Sequence, residues 1–418
     1  MSGRINDSFC KLVLDVLGIS DFSDNSLSED SEFDLNQIAR TAESEILSGP
    51  LTTDLFKYVE SFLKIHHVPP DRLKHVLSSG DHIARQKHIV LSKGVEIESF
   101  ASWDMMQNPR KMATIFLCTD ESSSNVSTAI DHSLDRISRE VSLSAPSLMR
   151  LHVLPGHPIT RKVAIAHGFR SDPGKEEHGT TFHKIAFGRV IDRQSWENDK
   201  KILKTLAGIE LPSTIPNYES SNQPISVKLP SGQNASIPLQ ELETLLSPTI
   251  ILLPGRPGAI APIKRVFADE LLGTAQQYSL ITPPEAALLK ERIYYNTPRA
   301  ATIMVPGTII LFYESSDGGG RKSVIAVGRV TDSRVLNIDK VDTETMRKGV
   351  LDSKALRIIG NSDTKLVSTF DNILVFKKPV SLKNLTRIGY FDPANFRTAR
   401  RIEAHHLINI MREGQNNG

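Results

Sequence analysis

Within residues 290–299, Lys290, Glu291, Arg292, Tyr294, Tyr295 and Arg299 gather both charges and two aromatic rings. Cations track phosphates, and flat rings stack on unpaired bases, so this combination suits single-stranded nucleic acid better than a small metabolite. Further cations flank the cluster. Arg256 and Lys264 lie on the glycine-punctuated stretch Leu253-Pro-Gly-Arg-Pro-Gly-Ala-Ile-Ala-Pro-Ile-Lys, and Arg321 follows Asp317-Gly-Gly-Gly. That glycine run lacks the first glycine of a phosphate-binding loop and joins two strands, so a flexible hairpin turn is its better account. The expected nucleic-acid-binding set is Arg256, Lys264, Lys290, Glu291, Arg292, Tyr295, Arg299 and Arg321. The competing reading makes Lys290–Arg292 the solvated end of a helix after Pro284.

Arg397, Arg400 and Arg401 form either a phosphate-tracking ridge on a last helix or its solvated face. No metal site is expected: His66-His67 and His405-His406 are adjacent rather than one helical turn apart, and no paired cysteines occur. Cys10 and Cys118 exclude a disulfide scaffold and fit a reducing compartment.

The 418 residues call for two or three domains, and 39% hydrophobic with 23% charged residues is a globular composition. No apolar run approaches a membrane span and the start lacks a signal-peptide core, so a cytoplasmic protein without a membrane partner is expected. Nothing in the sequence signals an oligomeric state. The net charge of +2 conceals an asymmetry. Residues 1–50 hold three Lys/Arg against ten Asp/Glu, a net of −7, whereas residues 251–418 hold twenty-four against sixteen, a net of +8. A basic C-terminal part permits polyanion binding.

Apolar periodicity sets out the elements. A short helix and an acidic mobile linker fill 1–51, with Ser20–Asp34 the acidic part. Helices then start at Thr53-Asp54 and Pro69-Pro70-Asp71. Strands at 87–91, 94–103 and 112–118 precede a helix over 127–141, strand 148–154, helix 160–167 and strand 182–191. Residues 194–244 read as a connecting segment with a small hairpin. In 245–418, helices at 262–272 and 284–290 precede strands 308–313, 323–330 and 371–376, and Asp392-Pro393 opens a final helix.

The order of 52–193, with Ala-His-Gly168-Phe169-Arg before a closing strand, resembles the GNAT superfamily of N-acetyltransferases. The charged cluster followed by a Gly307-led strand ending in Phe-Tyr, a loop and a strand ending in Val-Gly-Arg-Val resembles the ASCH branch of the PUA-like β-barrels, mostly RNA-associated. Here Lys290, Glu291 and Arg292 are consecutive where that branch spaces them. Together these imply an α/β chain: a GNAT-like mixed sheet with helices, then a PUA/ASCH-like β-barrel with flanking helices.

The first resemblance implies acetyl-CoA as cofactor, held by Ser122, Ser123, Ser124, Asn125 and Val126 at a helix N-terminus. Asp120 and Glu121 would repel its diphosphate, and no glycine eases close approach. Ala164 stands where the superfamily commonly has a proton-donating tyrosine, and His157 where it has an asparagine. His157 and His167 are the candidate acid/base residues, since imidazole titrates near neutrality. The leading functional expectation is a divergent acyl-CoA-dependent N-acetyltransferase directed to RNA, in preference to DNA, or to an RNA-bound substrate. The alternatives are a non-catalytic nucleic-acid-binding or regulatory protein, and a hydrolase or nuclease using Lys290, Glu291 and Thr297.

Overall fold

The computed structural model describes residues 45–49, 53–77, 87–93, 96–106, 112–143, 145–171, 179–229, 231–273, 285–316, 319–358, 362–390 and 398–415. The expected N-terminal helix, the acidic segment Ser20–Asp34, the Asp392-Pro393 start and Arg397 lie outside them.

The first sheet contains β1 (Glu45–Gly49), β2 (Lys87–Lys93), β3 (Glu96–Met106), β4 (Met112–Thr119), β5 (Ser147–Val153), β6 (Arg170–Ser171) and β7 (Thr180–Ala186), in the order β1-β2-β3-β4-β5-β7-β6. Helices cover both faces, which is why β4 is buried at almost every position. On one face α1 (Thr53–Ile65) and α2 (Pro70–Leu77) set Val59, Phe62, Leu63 and Val76 against Val90, Phe100 and Phe116. On the other, α3 (Val126–Ser142) repeats Val126, Ala129, Ile130, Leu134, Ile137 and Val141 at helical spacing, packed on Ile115, Leu117 and Leu151. Each valine, leucine, isoleucine and phenylalanine among them contributes roughly 1.5–3 kcal/mol by leaving water. The fourth helix, α4 (Pro158–Ala166), adds Ala164 to this core.

The only parallel pair of that sheet among the described residues, β4 with β5, runs from Met112↔Leu148 to Phe116↔His152 and stops there. Beyond it Leu117–Thr119 and Val153 part company. The loop after β4 and the start of α4 therefore face one another across a split.

The expected connector is folded. After β8 (Arg189–Ile191), the end of the strand expected over 182–191, come α5 (Trp196–Ala207), the hairpin β9 (Pro224–Lys228) and β10 (Asn234–Pro238), and α6 (Leu239–Leu245). Trp196, Leu203, Ile225, Val227, Leu239 and Leu242 share a core with Ile185 and Phe187 from the first half and with Ile251 and Leu253. A short strand, β11 (Thr249–Ile251), pairs in parallel with β8.

The second sheet contains β12 (Gly258–Ile263), β13 (Arg292–Asn296), β14 (Ile309–Glu314), β15 (Ser323–Asn337), β16 (Thr364–Ser381) and β17 (Arg400–Ile402), in the order β13-β16-β15-β14-β12-β17. No ladder joins β13 to β17 among the described residues, so the expected closed barrel is corrected to an open sheet. The long β15–β16 ladder slips register three times, and such bulges bend and twist a ribbon. Its flanking helices are α7 (Arg265–Leu272), α8 (Glu285–Leu288), α9 (Thr343–Arg347), α10 (Ser353–Ile358), α11 (Leu382–Arg387) and α12 (Ala404–Gln415). Residues 258–263, read as loop and helix start, form β12, and Arg400 and Arg401 lie on β17 rather than on a helix. No helix among the described residues is long and apolar enough to cross a membrane.

Candidate acyl-carrier loop and nucleic-acid interface

The loop from Asp120 to Asn125 leaves β4 and turns into α3. The donors of Ser122, Ser123 and Asn125 are already bonded. Asp120 accepts from the Ser122 N–H at 2.9 Å and its hydroxyl at 2.6 Å, while the Ser123 N–H donates to the Asp120 carbonyl. Glu98, on neighbouring β3, accepts from the Ser123 hydroxyl at 2.8 Å and from the Asn125 amide at 3.3 Å. The Asn125 and Val126 N–H groups donate back to Ser123, leaving Ser124 exposed. Burial pushes the Asp120 carboxyl up, but the bonds from Ser122, helped by His66, outweigh it and hold it below its ordinary range.

Glu121 crosses the split. It accepts from the Ile159 N–H at 2.8 Å, the Thr160 N–H at 3.0 Å and the Thr160 hydroxyl at 2.7 Å, so it caps α4 from outside. A diphosphate would meet a fixed carboxylate on each side of the loop, and at about 6 Å each opposing charge costs on the order of 3 kcal/mol at an effective dielectric near 20. The loop does not fit acetyl-CoA.

His157 precedes α4, with Nδ1 at 3.5 Å from both Glu121 Oε1 and Thr119 Oγ1. His167 follows α4, buried, with Nε2 at 2.7 Å from Asp131 Oδ1. Burial lowers the pKa of both; Glu121 and Asp131 oppose it without reversing it. The histidines sit at opposite ends of a nine-residue helix, roughly 13 Å long, so they cannot serve one reacting atom. Ala164, between them, is sealed in the core.

The structure corrects three positions of the expected nucleic-acid surface. Arg256 is buried and clamps Glu243, with Nη1–Oε1 2.6 Å and Nη2–Oε2 3.1 Å, and its Nε donates to the Gly307 carbonyl. Arg292 is buried, its guanidinium donating to the carbonyls of Leu271, Ala287 and Leu289. Tyr295 is 5% exposed, with one ring edge against Gly349, where a Cβ would stand 2.6 Å from the ring. None offers a face to a base or phosphate, because the segment read as an exposed cluster is strand β13, paired along β16.

Lys290 and Glu291 are half-buried. The Lys290 N–H donates to Asp131 and its Nζ reaches the Ala166 carbonyl at 2.6 Å, while Glu291 pairs with Lys348 at 3.1 Å. Lys290, just before β13, thereby fastens the second sheet to α3 and α4. Lys264 and Arg299 remain exposed; Arg321 is exposed but tied by Nε to buried Glu314 at 2.9 Å.

Sequence reasoning missed two interior groups. Arg329 joins Glu243 at 3.0 Å and Asp371 at 2.8 Å, completing a buried quartet with Arg256. Burial raises the Glu243 carboxyl, but Arg256 and Arg329 more than reverse this and hold it ionised. Lys184 is buried beside Ser247 at 2.8 Å and Ser138 at 3.3 Å, and burial, reinforced by Lys290, drives its ammonium far below the ordinary lysine range. A readable sign existed for both: Arg329 interrupts the apolar run Val-Gly-Arg-Val, and Lys184 alternates inward with Phe182 and Ala186.

Exposed cations do converge elsewhere. The Ser315 N–H donates to the Ile263 carbonyl, Arg265 Nη1 to the Gly319 carbonyl at 3.3 Å, and the Leu382 N–H to the Lys322 carbonyl. These bonds gather Lys264, Arg265, Arg321, Lys322 and Lys383 at one end of the second sheet. Lys264, Lys322 and Lys383 form no ion pair with another described residue.

No protein-family model and no curated protein matches the chain. Among solved structures, it is similar to ASCH from Zymomonas mobilis, at 13% identity and TM-score 0.28, covering 37% of this chain and 92% of that one. It is also similar to the GNAT domain of S. lividans PAT, at 14% identity and TM-score 0.27, over 35% and 96% of the two chains. A third likeness is to the ribosomal-protein-S5-alanine acetyltransferase from Vibrio fischeri, at 14% identity and TM-score 0.27, over 34% and 93%. At such overlap no likeness assigns an activity to this chain.

Proposed function

We propose that the protein is a non-catalytic nucleic-acid-binding protein, with single-stranded RNA ahead of DNA as its partner, and that its first sheet is a scaffold. The observation that carries this is the exposed group of Lys264, Arg265, Lys322 and Lys383, with Arg321 beside them, held at one sheet end by two main-chain hydrogen bonds and one from the Arg265 side chain. Phosphates bind such a ridge by displacing counterions. The preference for RNA comes from the sequence resemblance to the ASCH branch. Acyl transfer is disfavoured by the chemistry of the loop after β4, where Glu98 and Asp120 hold the donors that a diphosphate needs.

The test is fluorescence anisotropy of the full chain with labelled single-stranded RNA and DNA oligomers over a range of salt. RNA should bind, with log affinity falling linearly in log salt by about 0.7 per phosphate contact. Replacing Lys264→Glu together with Lys322→Glu should lower the slope by roughly two contacts. Absence of binding at low salt, or a double variant that binds like the parent, would overturn the reading.

A further inference from the structure

Glu403, His405 and His406 stand where β17 gives way to α12. Each offers one ligand atom, and the three atoms lie within 4.8 Å of one another. The two imidazoles face each other, Nε2 to Nε2 at 3.1 Å, with ring centroids 3.8 Å apart. On the far side of its ring, His405 Nδ1 lies 3.3 Å from Glu403 Oε2. A proton on that Nδ1, donated to the carboxylate, leaves His405 Nε2 as a lone pair aimed at its neighbour.

Nitrogens bound tetrahedrally to one zinc ion at 2.0–2.1 Å stand ~3.3 Å apart, close to the spacing seen here. The surroundings keep the pair in place and leave room. The Tyr390 ring meets His406 edge-on at 5.4 Å, and the neighbour at Gly389 has no side chain; a Cβ there would be 3.7 Å from His406 Nε2. The nearby cation Arg401 is turned aside, its Nη2 on the Thr302 carbonyl at 3.2 Å. His405 and His406 are consecutive residues of α12, about 100° apart around its axis, and their rings meet because the two side chains lean toward each other.

We propose that Glu403, His405 and His406 form a divalent-metal site selective for zinc, with the two Nε2 atoms as ligands. Glu403, accepting from His405 Nδ1, orients that ring toward the ion. Imidazole pairs with a carboxylate suit Zn²⁺ over Mg²⁺ or Ca²⁺, which take oxygen ligands. Water completes the shell.

Untagged full-length protein, stripped with a chelator, would be titrated with Zn²⁺ in competition with a chromophoric chelator. One equivalent should bind, and His405→Ala or His406→Ala should weaken it about tenfold or more, with Glu403→Gln weaker than the parent by a smaller factor. His405 and Glu403 are exposed, so these two variants should melt like the parent in the absence of zinc. Replacing zinc by Co²⁺ should give visible d–d bands of a tetrahedral site, lost in His405→Ala. No zinc binding by the parent, or one equivalent still bound with parental affinity by the His405→Ala/His406→Ala double variant, would overturn the proposal.

Discussion

Glu98 and Ser123 belong to different elements, yet the Glu98 carboxylate takes the Ser123 hydroxyl at 2.8 Å and so ties strand β3 to the turn that launches α3. A helix start that could receive an anion is thereby served by the chain itself, with a negative charge fixed where a ligand's negative charge would come. The expected consequence is acetyl-CoA affinity on the order of 10 μM or weaker, measured by titration calorimetry. Submicromolar binding would show that Glu98 and Asp120 yield to the ligand.

Arg256→Ala leaves Glu243 buried with Arg329 as its remaining cation. Removing one partner of a buried pair costs about 3–5 kcal/mol, and chemical denaturation should register that loss. Lys264→Ala, on the surface, should stay within about 0.5 kcal/mol of the parent. A mild Arg256 variant would mean that water enters the quartet.

Tyr295→Ala should behave as a core truncation, losing roughly 3–5 kcal/mol of stability. At temperatures where the variant is folded, its RNA affinity should match the parent's, because the ring has no stacking face to lose. Arg299→Ala should show the reverse, parental stability with affinity at or below the parent's. A Tyr295 variant that melts normally but binds RNA poorly would return the ring to the binding surface.

Acid should weaken the fold through histidine. His132 on α3 is buried, and that burial, with Arg136 adding to it, lowers its pKa to about 4. The unfolded chain takes up this proton near pH 6.5, so the stabilisation is complete above that pH and disappears as pH falls toward about 4. His157 and His167 are lowered by the same cause and act in the same direction. The His132 share is roughly 3 kcal/mol. Denaturant midpoints at pH 7.5 and 5 should differ, and His132→Gln should flatten the difference. An unchanged slope in that variant would remove His132 from the account.

Much of the first sheet was legible because its strands alternate and its helices repeat apolar residues at 3.6-residue spacing. The strands at 87–93, 96–106 and 112–119 and helix 126–142 fall within a few residues of their expected bounds. Strand β13 was not, because Arg292, Tyr294 and Asn296 make an apolar alternation of Ile293 and Tyr295 look like a polar cluster. Strand β12 was hidden by Gly258 and Pro262, residues that ordinarily argue against a strand. The candidate surface erred for a different reason. Whether an arginine is a ligand or a strut depends on where its carboxylate lies, and Glu243 stands 13 residues before Arg256 and 86 before Arg329, beyond the reach of any local pattern.

The β8–β11 ladder bears on how this chain can be divided. Thr249 and Ile250 lie beside Arg189 and Val190, and the core between them takes residues from before and after. A cut anywhere from 192 to 248 would leave one strand of that ladder with a bare edge and half an apolar core exposed to water. Fragments made on either side should therefore clump when expressed alone and regain solubility only when produced together. Recombination that shuffled one half to a new neighbour would carry the same penalty, so descent should transmit the two halves together.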